Sequence, residues 1–275
     1  MEASVRIRRF TGIDRLTHIF LIITFMILAF TGAAQAFYET SWGRQLVWLM
    51  GGYQQVKSIH IITGWAMSIG FIIHIVITLS RINWRHPWHS LFGPDSLIPN
   101  WRDFKEFGQR LMWFTGMGKA PHFERWTYLE KFDYWAVFWG IPLLFITGIM
   151  LIYPVGTSQL LPGWTLNVAV LLHRAEAVLA IVYIIVIHLL FGHFRRSTFP
   201  LNDTMFSGSA PVGQLEDEKP GWVTRLRDEG RLTALVVAAP AIWFRVLYFV
   251  FAYAIIILGV YLIFSALPYS NLLHG

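Results

Sequence analysis

Five long apolar runs constrain this chain more than any other feature. They lie at about residues 16–37, 56–79, 135–153, 168–194 and 246–267. A helix rises about 1.5 Å per residue, so about 20 apolar residues cross a hydrocarbon layer roughly 30 Å thick. Inside that layer water cannot satisfy backbone N–H and C=O groups, and a helix bonds all of its own. The expectation is an all-α integral membrane protein: a four-helix bundle over residues 1–200, a polar and interfacial connection at 201–245, and a fifth C-terminal transmembrane helix at 246–267.

Charge placement orients the helices. Only 14% of residues are charged, with a net charge of +6. Arg6, Arg8, Arg9 and Arg15 precede the first run. Basic residues also fill the connections after the second and fourth runs, up to Arg231, and are nearly absent from the other loops and the C-terminal tail. Basic loops face the cytoplasm, which predicts an N-terminus inside and a C-terminus outside. The positive charge then belongs to membrane topology, and no nucleic-acid partner is expected. Ala34-Gln35-Ala36 resembles a cleavage site and Arg8-Arg9 a twin-arginine pair. The first run is too long for a signal-peptide core and is read as an uncleaved helix. Trp101–Phe114 has the pattern of an amphipathic helix lying at the membrane interface. Leu232–Phe244, interrupted by Pro240, reads as an interfacial lead-in. No internal repeat stands out.

The histidines carry the chemistry. The fourth run holds His173 and His188, roughly 22 Å apart along a helix and about 60° apart in direction. The second holds His60 and His74 in nearly the same arrangement, and His18 opens the first. With alternating helix directions these form an outer layer, His60 and His173, and an inner layer, His18, His74 and His188. His193 lies slightly further in. Imidazole is costly in hydrocarbon, so buried histidines there are read as functional. Imidazoles from different helices at one depth suit haem iron with two axial histidines, built into a bundle core. The chain has no cysteine. That excludes protein-ligated iron–sulfur clusters, thiolate-bound haem and covalent c-type haem attachment. A histidine-relay proton channel or transporter, and a cofactor-free anchor of a redox complex, are the competing readings. Arg174, beside His173, is a candidate for neutralising a haem propionate, with Glu176 as its alternative partner.

The ordered set resembles a known family. Arg15-Leu16-Thr17-His18, His60, the His173/His188 pair and Arg125–Trp135 are similar to the membrane cytochrome b subunits of formate dehydrogenases and nickel–iron hydrogenases, and to bacterial cytochrome b561. His193–Gly208 is similar to relatives that work beside multihaem c-type cytochromes. The resemblance implies two b haems in the bacterial inner membrane, the outer held by His60 and His173 and the inner by His18 and His188. His74 is the alternative inner ligand, because two histidines on each of two helices also ligate the haems of bc complexes. The surplus of His18, His74, His188 and His193 allows a third haem. The resemblance further implies a menaquinone or ubiquinone site near the cytoplasmic face. Thr127, Glu130, Lys131 and Asp133 are its candidate residues or proton relay; relatives often carry amides where this chain has Thr127 and Glu130. The implied function is electron transfer between a periplasmic redox subunit, a multihaem cytochrome or an iron–sulfur protein, and the quinone pool.

Overall fold

The computed structural model describes residues 5–194 and 197–269. Arg195, Arg196 and the tail beyond 269 lie outside them. The chain runs β1 (Arg6–Arg8), α1 (Gly12–Ala36), α2 (Ser41–Leu49), α3 (Tyr53–Ser80), α4 (Pro87–Phe92), α5 (Trp101–Phe114), α6 (Tyr128–Ile152), α7 (Pro154–Leu160) and α8 (Trp164–Val182). A π-helical stretch, Tyr183–Phe191, continues α8. Then come α9 (Thr204–Ser207), β2 (Ser209–Pro211), α10 (Val212–Glu218), α11 (Pro220–Asp228), β3 (Val236–Val237) and α12 (Ile242–Ala266). Among the described residues, α1, α3, α6, α8 with its π continuation, and α12 are long and apolar enough to cross a membrane.

Some helix starts differ from the hydropathy limits, and at α6 a cap, not apolarity, sets the start. Helix α6 begins at Tyr128 rather than about residue 135. The Thr127 backbone N–H donates to Glu130 Oε2 at 2.9 Å, and the Glu130 N–H donates to Thr127 Oγ1 at 3.2 Å. This reciprocal capping box satisfies two donors that a helix start otherwise leaves open. Helix α12 begins at Ile242, two residues after Pro240, and takes in part of the expected lead-in along with Arg245.

The chain divides into two compact units. One comprises Leu16–Ile75, Phe138–Gly192 and Phe249–Gly275. Its core joins Ala29, Ala33, Ala34 and Phe37 to Trp42, Leu46, Val56 and Leu262. Small residues let helices approach closely where the surrounding solvent is as apolar as the side chains. A Cβ on Gly70 of α3 would run into the Phe20 ring of α1, and one on Gly259 of α12 into Ile185 of the π stretch. Trp42 Nε1 donates to the Tyr261 hydroxyl at 3.1 Å. Ile62, Ile69 and Ile72 are exposed on α3, as expected for a face turned to lipid.

The other unit comprises Met1–Arg15, Val76–Val137 and His193–Tyr248. Here β1 pairs antiparallel with both β2 and β3, with Ile7 opposite Ala210 and Val236. Apolar residues of this sheet and of α10 and α11 form a small core: Ile7, Ala210, Leu215, Trp222, Val223 and Leu226. Burying a side chain such as Leu or Ile contributes roughly 1.5–3 kcal/mol. The sheet was not legible in the sequence, since three-residue strands carry too little alternation to register.

Helix α5 is inverted. Asp103 and Glu106 are buried, while Trp101, Phe104, Leu111 and Phe114 are exposed. Asn100 caps it through a reciprocal capping box with Asp103. Lys131 of α6 reaches Asp103 at 2.9 Å, and Arg102 pairs with Glu106 at 2.8 Å. The helix is pinned by its polar face, leaving its aromatic face outward.

A second ion cluster, with both of its cations buried, ties two segments to the start of α6. Arg9 donates to Glu130 Oε1 at 2.6 Å, and the Lys219 ammonium donates to Glu130 Oε2. Burial pushes Lys219 down to about 8 from its ordinary 10.5, against the pull of the Glu130 carboxylate. With the native value below the unfolded one, the unfolded chain binds more protons between those limits. Stability from this group is therefore lowest below about pH 8 and rises toward pH 10.5, by up to about 3 kcal/mol. Lys219→Met should flatten that alkaline limb, measured as thermal unfolding of the detergent-solubilised protein against pH. An unchanged limb would exclude Lys219 as its source.

Candidate functional site

The membrane helices bring four histidines together as two facing pairs. His60 on α3 faces His173 on α8, with ring centroids 6.3 Å apart and planes inclined at 64°. His18 on α1 faces His188 in the π stretch, with centroids 6.2 Å apart and planes at 49°. All four lie in the same compact unit.

The His60–His173 pair is held in one tautomer by two threonines. Thr31 Oγ1 on α1 lies 2.9 Å from His60 Nδ1, and Thr147 Oγ1 on α6 lies 2.9 Å from His173 Nδ1. Each hydroxyl also lies 2.7 Å from the carbonyl four residues before it, Ile27 or Leu143. A carbonyl can only accept, so the single hydroxyl hydrogen goes there. The threonine oxygen must then accept from the imidazole Nδ1–H. That leaves Nε2 of both rings with its lone pair, the form in which histidine binds a metal.

His188 depends on the π stretch. A π-helix bonds i to i+5 and advances less per residue than an α-helix. The direction of His188 relative to His173 is therefore not the α-helical 60°. Ile185, packed against α12 at Gly259, is buried within the same stretch.

The remaining candidates lie elsewhere. The His74 ring meets Phe138 edge-on at 6.3 Å. His193 Nδ1 accepts the Asn202 N–H at 3.2 Å, and its carbonyl accepts from Thr198. A neutral His193 so bonded carries its hydrogen on Nε2. Arg174 is half-buried on α8. A Cβ on Gly140 of α6 would stand 3.1 Å from Glu176 Oε1, so α6 approaches that carboxylate through a glycine. Glu130 and Lys131 are engaged in the ion clusters described above, Thr127 caps α6, and Asp133 is half-buried within it. Sequence reasoning missed Thr31 and Thr147. Each stands before a glycine in a Thr-Gly pair, but the pairs lie far from the histidines in sequence.

Each facing pair fits an iron bound by two imidazoles. A first-row metal–imidazole bond is about 2 Å, and a ring centre lies about 1 Å beyond its nitrogen, which sums to about 6 Å between centroids. Direct ring packing would not require two rings from separate helices to keep this spacing twice over. Among the described residues no group of three or more His, Cys, Asp or Glu side chains converges on one point, so each niche offers two protein ligands. A membrane helical bundle with such niches defines a b-type cytochrome. The sequence model of the prokaryotic cytochrome b561 family matches residues 9–208, and the chain belongs to that family. No curated protein matches it. It is thus a multi-pass protein of the bacterial inner membrane that binds b-type haem and serves electron transfer.

Proposed function

We propose that this chain relays electrons between a periplasmic redox subunit and quinone through two b haems, the outer held by His60 and His173 and the inner by His18 and His188. The two facing imidazole pairs, at 6.3 and 6.2 Å, carry this reading. Haem iron supplies the one-electron chemistry. The protein's residues hold the ligand nitrogens, fix their tautomer and keep water away. In this reading His74 packs the bundle and His193 secures a loop, so neither is an iron ligand. The paired, metal-spaced rings favour it over a histidine relay, which needs imidazoles joined through hydrogen bonds.

The basic loops support a cytoplasmic N-terminus, placing the outer pair toward the periplasm. The aromatic face of α5 then meets the lipid interface. Quinone is assigned to the start of α6, where Thr127, Glu130, Lys131 and Asp133 cluster. Glu130 and Lys131 act there through fixed ion pairs rather than as mobile proton carriers. Arg174 is assigned to a haem propionate. The uncharged segment Gly156–Leu166, which takes in most of α7 and the start of α8, suits a permanently bound redox partner, because it offers no charges for long-range steering of a transient one.

The test is a reduced-minus-oxidised spectrum with haem quantification on the purified protein. His18→Ala should remove half the haem, and His74→Ala should remove none. Loss of haem with His74→Ala and not with His18→Ala would reassign the inner ligand.

A further inference from the structure

The geometry points to Thr31 and Thr147 as a matched pair of positioning residues that set the reduction potential of the outer haem; this rests on the outer pair being a haem site. The observation is a duplication of contacts on separate helices. In α1, Thr31 accepts from His60 Nδ1–H at 2.9 Å, and the next residue, Gly32, would place a Cβ 3.4 Å from His60 Cε1. In α6, Thr147 accepts from His173 Nδ1–H at 2.9 Å, and Gly148 would place a Cβ 3.4 Å from His173 Cε1. Both threonines spend their hydroxyl hydrogen on the carbonyl one turn back at 2.7 Å. A Thr-Gly step thus meets each outer imidazole in the same way: the hydroxyl holds one edge of the ring, and the glycine admits it against the helix backbone.

The chemical consequence follows from the direction of these bonds. A hydroxyl that accepts from Nδ1–H makes the imidazole a stronger donor through Nε2. Stronger donation favours ferric over ferrous iron and lowers the potential, since axial ligands and their hydrogen bonds are among the levers that set it. The hydroxyl also fixes the ring about its Cβ–Cγ bond, and so the 64° between the two ring planes. Thr31 is only 2% exposed and Thr147 only 4%, so water cannot replace either bond when it is removed.

The experiment is a potentiometric titration of both haems in membranes containing wild type, Thr31→Val, Thr147→Val, the double variant and the two Thr→Ser variants. The valine variants should keep both haems. At a fixed potential, the reduced-to-oxidised ratio of the outer haem should rise severalfold with each and roughly tenfold or more with both. The inner haem should not move, the low-spin EPR signal of the outer haem should shift, and the serine variants should match wild type. An outer potential that stays in place when both valines are present with full haem would overturn the assignment. If valine costs haem, serine decides. Serine with full haem and wild-type potential supports the hydroxyl role, and serine that loses haem as valine does reduces the threonines to packing. A wild-type protein without haem, or a His60→Ala variant that keeps all of it, overturns the haem-site reading and this inference together.

Discussion

His173→Ala is expected to halve the haem content and abolish electron transfer across the membrane while leaving the inner haem in place. His173 is one of two rings in its niche, facing His60 at 6.3 Å, and its Nδ1 is committed to Thr147. On the proposed assignment, alanine would remove one of the two imidazoles available to the iron. The backbone of α8 carries no replacement donor, because helical N–H groups are already bonded along the helix. His188, in the π stretch, faces a different partner and should keep its haem. The optical spectrum should therefore lose one component, and the remaining one should titrate as the inner haem does in wild type. Complete loss of haem would mean that the two sites assemble as a unit. Retention of both components would place the outer ligand elsewhere on the chain.

The second large effect is expected at Glu130. Its carboxylate receives Arg9 on one oxygen and Lys219 on the other, and both cations are almost fully buried. Glu130→Gln would leave two buried positive charges facing each other with no anion between them. Removing one partner of a buried ion pair typically costs about 3–5 kcal/mol, because the other charge stays desolvated and uncompensated. Lys219→Met should cost much less, since Arg9 still satisfies Glu130 and the methionine fills the same apolar space. The difference separates a structural hub from a proton carrier. Limited proteolysis should cut the 200–240 region much faster in Glu130→Gln than in Lys219→Met, with haem spectra unchanged in both. Equal proteolysis in the two would remove the hub role. A loss of quinone reduction in Glu130→Gln without any change in protease resistance would restore Glu130 as a relay.

The histidine layers were legible because a membrane simplifies the sequence. Hydrocarbon admits few polar side chains, so each histidine within an apolar run stands out. The alternating direction of successive spans then sorts these by depth. The competition between His18 and His74 for His188 was not legible. The sequence puts both at about the depth of His188, and which ring faces it depends on rotation about helix axes. In the structure the His74 ring meets Phe138 and the His18 ring faces His188. The π stretch contributes to this outcome, and no sequence signal announced it. In the sequence Glu130 and Lys131 are candidates for a quinone site or proton relay. Their partners, Arg9, Lys219 and Asp103, come from distant segments, so their engagement appears only when the chain is folded.

The sequence by itself determined the class of structure. Five apolar runs require helices in a bilayer, and intramembrane histidines without any cysteine leave imidazole, not thiolate, as the ligand type on offer. Those conclusions rest on transfer energies, which depend on residue type and run length alone. Only the tertiary structure decided which rings face each other, which nitrogen of each outer ring is free, and that a Thr-Gly step stands behind both. These depend on helix rotation and approach within a few tenths of an ångström, set by packing among side chains far apart in the sequence.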